Sequence, residues 1–231
     1  MKLIVTLFLI LQSFLLSMAY SASPAEISER AMEGYRLFLR DSLPDDRSKG
    51  YALMLDAAWE GDAKAANNVG WILQYGLNGN IDLKAAFRWY ERAADQGLPA
   101  AALNYVDLLM SHPAVCGDSL PDSHRLAEAA MLAGSALASG RGLPYDYRKG
   151  EVLILKAGLL GDETAALTIA QQLEMYPDSF SYLEIEDILH QCDSLLPAEC
   201  RNLPPDMMPE EFVKLLLTPA FWYERIRDRN Q

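Results

Sequence analysis

One short phrase recurs along the chain and constrains its fold more than any other feature. Two small residues stand shortly before a glycine and one or two alanines follow it, and the glycines of the three copies are Gly61, Gly97 and Gly161. Gly61 and Gly97 are 36 residues apart. A repeat of this length is typical of solenoids built from helix pairs, because each pair buries its apolar face against a neighbour. The phrase therefore predicts an all-α fold, an α-solenoid of stacked helix-turn-helix repeats.

A second recurring pattern supports the prediction of helix pairs. A small residue recurs on the predicted first helix of each pair, at Gly34, Gly70, Asn104, Gly134 and Ala170. A lysine follows three of these positions at a nearly constant distance, at Lys49, Lys84 and Lys149. Small residues on the inner faces let two helix backbones approach closely, while larger apolar side chains fill the groove between them.

Two stretches carry a family resemblance. Residues 133–150, which include the turn Gly140-Arg141-Gly142, resemble the first helix and loop of a Sel-one-like repeat (SLR), a relative of the tetratricopeptide repeat. Residues 84–97 resemble the second helix of that repeat. The resemblance covers roughly residues 26–176. It implies a scaffold that binds another macromolecule.

The third repeat departs from the family pattern. The spacing between the small positions Asn104 and Gly134 shrinks to 30 residues, and Pro113 and Pro121 interrupt the expected second helix of this repeat.

We expect the whole chain to consist of three segments. These are a signal peptide over residues 1–19, an SLR solenoid of about four and a half repeats over residues 20–176, and a helical C-terminal cap over residues 177–231.

The first residues have the form of a secretory signal. Lys2 precedes an apolar run that reaches Leu16, and Ser17 and Ala19 are small residues where a signal peptidase would cleave. The alternative is an uncleaved anchor, which requires about 20 predominantly apolar residues. The apolar run here is shorter, so the sequence predicts a periplasmic protein with no membrane segment after the signal is removed.

The charge limits the class of partner. The formal net charge is −12. A surface this acidic repels nucleic acid and anionic lipid, and it favours a protein partner of basic or mixed charge. Solubility alone is a competing explanation of the charge. The sequence does not determine the oligomeric state.

Both ends of the mature chain contain helix-start signals. Ser23 and Glu26 form a capping box with Pro24 at the first helical turn. A last amphipathic helix is expected to open at Thr218-Pro219. Its residues 222–225 have the same sequence as residues 89–92, which indicates a degenerate repeat that caps the stack of helix pairs.

No arrangement in the sequence indicates an enzyme. The Gly-x-Ser-x-Gly, Ser-x-x-Lys and His-Glu-x-x-His motifs and the phosphate loop are all missing from the sequence, so we expect no catalytic residue and no cofactor.

One group of metal-binding residue types lies in the third repeat: His112, Cys116, Asp118, Asp122 and His124. We expect it to form a polar surface loop and bind no metal, because a proline interrupts it. Cys192 and Cys200 could pair after export, and this stays open.

Similarity to tetratricopeptide repeats also suggests a binding surface. Tyr35, Trp71 and Tyr105 each follow a small position by one residue, and the resemblance places this position on the concave groove, where rigid aromatic rings make good anchors. Asn67 and Gln74 would supply the polar rim. The alternative is that the rings pack between neighbouring repeats.

The resemblance implies a periplasmic scaffold for protein–protein interaction. Its most specific form is an immunity-type protein that binds and neutralises a secreted toxin of the phospholipase type. An envelope signalling regulator is an alternative of the same binding class. A penicillin-binding or β-lactam-hydrolysing enzyme of the cysteine-rich SLR group is a further alternative, but the predicted repeats contain only Cys116, which argues against it.

Overall fold

The computed structural model describes residues 22–40, 44–112, 115, 123–181, 185 and 209–229. These residues form α-helices and no strand. The helices are α1 (Pro24–Leu39), α2 (Pro44–Trp59), α3 (Ala63–Gln74), α4 (Leu83–Ala94), α5 (Pro99–Ser111), α6 (Ser123–Ser139), α7 (Tyr147–Leu160), α8 (Glu163–Met175), α9 (Pro209–Leu216) and α10 (Pro219–Arg229). The predicted all-α fold of stacked helix-turn-helix repeats is confirmed.

The chain divides into two compact units, Met1–Ala66 and Asn67–Gln231. In the first unit α1 packs against α2 with almost no side chain between the backbones. A Cβ added to Gly50 would lie 2.5 Å from the carbonyl oxygen of Gly34, and one added to Gly34 would lie 2.7 Å from the carbonyl oxygen of Gly50. The two glycines therefore set the distance between these helices.

The segment boundaries expected at residues 19 and 176 stay predictions.

The start of α1 is the predicted capping box. The Ser23 hydroxyl accepts a hydrogen bond from the Glu26 amide at 3.3 Å, and the Ser23 amide donates to the Glu26 carboxylate at 2.7 Å. These bonds satisfy two backbone N–H groups that a helix start otherwise leaves without partners. The Ser23 amide bond, together with the Ser23 side chain, lowers the pKa of Glu26.

This shift predicts a pH dependence of stability. A carboxylate whose pKa is lower in the folded state stabilises the fold above its unfolded pKa, and the contribution is lost as the pH falls through the folded pKa. We expect Glu26→Gln to lower the urea unfolding midpoint at neutral pH and to differ less from the parent chain in acid. Glu29→Gln, an exposed change on the same helix, is the matched control. An equal effect of Glu26→Gln at both pH values would contradict the role of the ionised carboxylate.

The second unit repeats the helix-pair geometry. A Cβ on Gly70 of α3 would lie 2.8 Å from the ring of Tyr90 on α4, so the glycine accommodates the tyrosine. A Cβ on Gly150 of α7 would lie 2.7 Å from the carbonyl oxygen of Gly134 on α6, as in the first unit. The predicted small positions therefore mark the closest approach of each of these pairs.

The recurring phrase around Gly61, Gly97 and Gly161 forms the junction between consecutive helix pairs. Gly161 has φ of 105° and caps the end of α7 in the left-handed region that favours glycine. The next residue, Asp162, caps α8 by accepting a hydrogen bond from the Ala165 amide at 2.7 Å. In the first unit Asp62 makes the same bond to the Ala65 amide at 2.7 Å. Glycine followed by aspartate thus ends one helix and starts the next.

The third repeat is irregular, as the short spacing indicates. Pro113 and Pro121 lie outside the described residues. Helix α6 packs directly against α5 as well as α7. Arg125, at the start of α6, forms an ion pair with Glu91 at the end of α4, close to where α5 begins. Asp107, near the end of α5, pairs with Lys149 at the start of α7. The first ion pair places the start of α6 near the start of α5. The second places the start of α7, which follows the end of α6, near the end of α5. Helices α5 and α6 therefore run in the same direction.

The C-terminal helices cover the last repeat. Helix α10 begins at Pro219, as predicted, and packs against α8. Trp222 is fully buried, and its indole N–H donates to the carbonyl of Leu216 at 2.8 Å. Arg225 donates to the carbonyl of Leu159 at 2.7 Å, which satisfies a backbone acceptor at the end of α7.

Candidate functional site

The three aromatic residues predicted to form one ladder differ in their exposure to solvent. Tyr35 is 42% exposed in the first unit, and Trp71 is 38% exposed in the second. Tyr105 is only 1% exposed, so its ring belongs to the core and the predicted anchor at this position is wrong. The physical reason is its neighbour on α4, because Phe87 stacks on the Tyr105 ring with 4.9 Å between the centroids.

Trp71 near the end of α3 and Tyr75, the first residue after that helix, form an exposed aromatic pair. The ring of Tyr75, one turn further along, lies 5.9 Å from that of Trp71 and is 59% exposed. A tryptophan held by a neighbouring ring loses little conformational freedom on binding, which favours it as an anchor for a partner. Tyr75 was not predicted, although its spacing of four residues from Trp71 places both on one face of the helix.

The two predicted rim residues each contact a residue of another helix. Asn67 on α3 accepts a hydrogen bond from Asn104 on α5, with 2.9 Å between Oδ1 and Nδ2. Gln74 accepts a hydrogen bond from the Tyr90 hydroxyl at 2.7 Å. Burial raises the pKa of Tyr90, so the hydroxyl keeps its proton and remains a donor. Asn67, Trp71 and Gln74 therefore share one face of α3, and Asn104 extends that face onto α5.

The group of metal-binding residue types is only partly described. His112 lies 3.0 Å from the Ser111 hydroxyl, and His124 lies 3.6 Å from the Glu128 carboxylate. Cys116, Asp118 and Asp122 lie outside the described residues, as do Cys192 and Cys200. Within the described ranges no group of three or more metal-binding side chains is close enough to hold an ion.

A cleft lies beside the irregular third repeat, between α4, α5 and α6. It encloses about 320 Å³ and is lined in part by Glu91, Asp95, Arg125 and Glu128. Arg125 reaches Glu91 at 3.2 Å and Asp95 at 3.6 Å, so the guanidinium links α6 to α4 across the cleft. The sequence did not predict this cleft, and the shortened spacing between repeats was the available signal.

A buried carboxylate stabilises the last repeat. Glu151 on α7 is 5% exposed, and it accepts hydrogen bonds from Arg148 at 2.9 Å and from Gln172 on α8. Burial, followed by its hydrogen bond to Glu151, raises the pKa of Tyr147. A buried charge with several donors is stable where it lies, so this network joins two helices and needs no ligand to explain it.

Comparison with protein families identifies two segments of the chain. The model of the Sel1 repeat matches residues 63–98 and 127–162. The chain contains two Sel1 repeats. The first Sel1 repeat comprises α3 and α4, and the second comprises most of α6 and α7. The predicted SLR resemblance is thereby confirmed. Sel1 repeats generally mediate protein–protein binding.

Solved structures of similar fold have low sequence identity to this Sel1-repeat chain. A Sel1 repeat protein from Oxalobacter formigenes is 17% identical, with 93% of each chain covered and a TM-score of 0.39. A protective antigen of uropathogenic Escherichia coli is 15% identical with a TM-score of 0.34, and the match covers 89% of this chain but 56% of the antigen. An immunity protein from Pseudomonas aeruginosa is 17% identical, with 87% and 81% covered and a TM-score of 0.33.

No curated protein matches the sequence. Among the described helices, none combines the length and the apolar character needed to cross a membrane.

Proposed function

We propose that this Sel1-repeat chain is an immunity-type protein of the periplasm that binds and neutralises a secreted toxin of the phospholipase type. The observation that carries the binding part of the proposal is the exposed face of α3. There the Trp71 ring lies on the same helix face as the Asn67 amide, and Asn67 is bonded to Asn104. An aromatic anchor beside fixed polar groups is the typical composition of a protein-binding hot spot.

Two features of the sequence favour a toxin as the partner. The signal-like start predicts export to the compartment where a secreted toxin would act. The net charge of −12 favours fast association with a basic surface, which an inhibitor needs if it is to act before the toxin does. An inhibitor of this kind needs no catalytic residues, because it acts by covering the toxin's active cleft.

The proposal is tested in a host strain that exports a toxin encoded beside this gene. We expect the parent chain to protect the strain from killing. Trp71→Ala should weaken the complex by about 2 kcal/mol, roughly a thirtyfold rise in Kd, because it removes the exposed anchor. Titration calorimetry with the purified toxin measures this change, and killing assays measure its consequence.

Trp59→Ala is the matched control, since Trp59 is the same residue type and is more exposed, at 63%. It should leave both the affinity and the protection unchanged. Equal killing with and without the parent chain would reject the immunity function. Equal affinity of the Trp71→Ala variant would instead reject the α3 face as the binding site.

A further inference from the structure

We propose that the cleft between α4, α5 and α6 is a second binding site of the chain, and that it takes the side chain of one lysine or arginine of the protein partner. This inference rests on the proposed function, because it names a chemical group of the protein that the chain binds, but its test requires no toxin. We call the site the acidic cleft and define it by its charged lining residues, Glu91, Asp95, Arg125 and Glu128.

The acidic cleft belongs to the irregular third repeat. Helix α5 packs against both α4 and α6, and α5 and α6 run in the same direction. The described residues between α5 and α6, His112 and Val115, do not form a second α-helix for this repeat. The cleft encloses about 320 Å³, at the lower end of the range of about 300 to 1,000 Å³ for ligand pockets. It therefore suits a single side chain better than a whole helix or strand.

The charged lining of the cleft favours a cation, because it contains three carboxylates and only one guanidinium. Arg125 donates to Glu91 at 3.2 Å, but its distance of 3.6 Å to Asp95 is too long for a hydrogen bond. Glu128 lies 3.6 Å from His124, which is again beyond hydrogen-bond distance. Within the described ranges neither Asp95 nor Glu128 accepts a side-chain hydrogen bond, so both carboxylates keep acceptors for an incoming N–H group.

A cation of the chain itself already lies at one edge of the cleft. The guanidinium of Arg125 reaches from α6 to the two carboxylates at the end of α4. The charge of Asp95, followed by the hydrogen bond to Glu91, raises the pKa of Arg125, so this edge stabilises positive charge. Arg125 is therefore a resident example of the group that the cleft would bind. Its side chain is 50% exposed, so the space beside it is open to a partner.

The rest of the lining suits the stem of a basic side chain. Ala94, Ala129 and Leu132 offer carbon surface to the cleft. Lysine and arginine combine an aliphatic stem with a charged end, so the stem can pack on this surface while the end reaches the carboxylates. A metal ion fits the cleft less well, because within the described residues no three metal-binding side chains are close enough to hold one. The net charge of −12 attracts a protein that presents basic side chains.

The experiment uses random peptides of about twelve residues, displayed and selected on the full chain. Peptides that also bind the Asp95→Asn/Glu128→Gln variant are removed, which leaves those that depend on the cleft. We expect the remaining peptides to share a lysine or arginine at one position. Replacing that residue by its neutral counterpart, acetyl-lysine or citrulline, should weaken binding to the parent chain about tenfold, because hydrogen bonds to a charged group are lost. In the Asp95→Asn/Glu128→Gln variant the same replacement should cost nothing further.

Glu29→Gln/Glu33→Gln is the matched control, because it removes two exposed carboxylates of α1 and changes the net charge by the same amount. It should bind the selected peptides like the parent chain, which separates the cleft from the general attraction of an acidic surface. A second measurement needs no variant. A photoreactive group placed beside the shared basic residue should cross-link to α4 or α6.

The inference is overturned if no cleft-dependent peptide remains, if the remaining peptides share no basic residue, or if the neutral replacement is tolerated. It is also overturned if the control loses as much affinity as the Asp95→Asn/Glu128→Gln variant, or if the cross-link lies outside α4 and α6. None of these results bears on the killing assay, so the proposed function can stand when this inference fails. Peptide capture in the cleft by a chain that protects no host would reject the proposed function alone.

Discussion

Replacing Gly50 by alanine is expected to destabilise the first unit by about 3 kcal/mol. The new methyl group would lie 2.5 Å from the carbonyl oxygen of Gly34 and 2.5 Å from the amide nitrogen of Phe38. Both atoms belong to the backbone of α1, so no rotation of a side chain can relieve the clash, and the helices must separate. Alanine is otherwise the better helix former by about 1 kcal/mol, so a measured loss would be due to packing alone.

Urea unfolding followed by circular dichroism measures the effect. Lys49→Ala is the control, because it changes the preceding exposed residue of α2 and should alter the free energy of unfolding by less than about 0.5 kcal/mol. A Gly50→Ala variant as stable as the control would show that the helices can move apart freely. The close approach of α1 and α2 would then have no part in stabilising this unit.

The sequence predicted the helix pairs well because their geometry depends on local residues that recur. The small positions Gly34, Gly70 and Gly134 mark the first helix of each pair, and the structure places them at the closest contacts. The matching residues on the second helix, Gly50 and Gly150, were not singled out. Each directly follows a recurring lysine, so the same register contained the signal.

The binding face was harder to predict because exposure depends on neighbours that are distant in sequence. Tyr105 and Trp71 occupy the same register position, yet Phe87 covers only Tyr105. The bond between Asn67 and Asn104 requires two helices in register, and no local pattern indicates it. The spacing of residues in the sequence indicates which of them share one side of a helix. Whether that side is buried or hydrogen-bonded depends on the residues that neighbouring helices place against it.

The C-terminal helix α10 contributes one large, fully buried side chain, Trp222, to the second unit. Trp222 is fully buried, and an added Cβ on Gly158 of α7 would lie 2.9 Å from its ring, so indole and helix backbone are in close contact. The Phe221 ring lies perpendicular to the indole, with 5.1 Å between the ring centroids. The indole N–H also needs its acceptor at Leu216, because an unpaired buried donor is costly.

Trp222→Ala should therefore destabilise the second unit by about 3 to 5 kcal/mol, since it leaves a cavity where the indole packed. Trp222→Phe should lose less, because it keeps much of the apolar contact and removes only the hydrogen bond and part of the ring. Glu224→Ala, an exposed change two residues further on α10, is the control. Urea unfolding gives the free energies, and hydrogen exchange shows whether α10 opens alone or with α7 and α8. Stability and exchange in the Trp222→Ala variant equal to those of the control would mean that α10 is not held by its tryptophan.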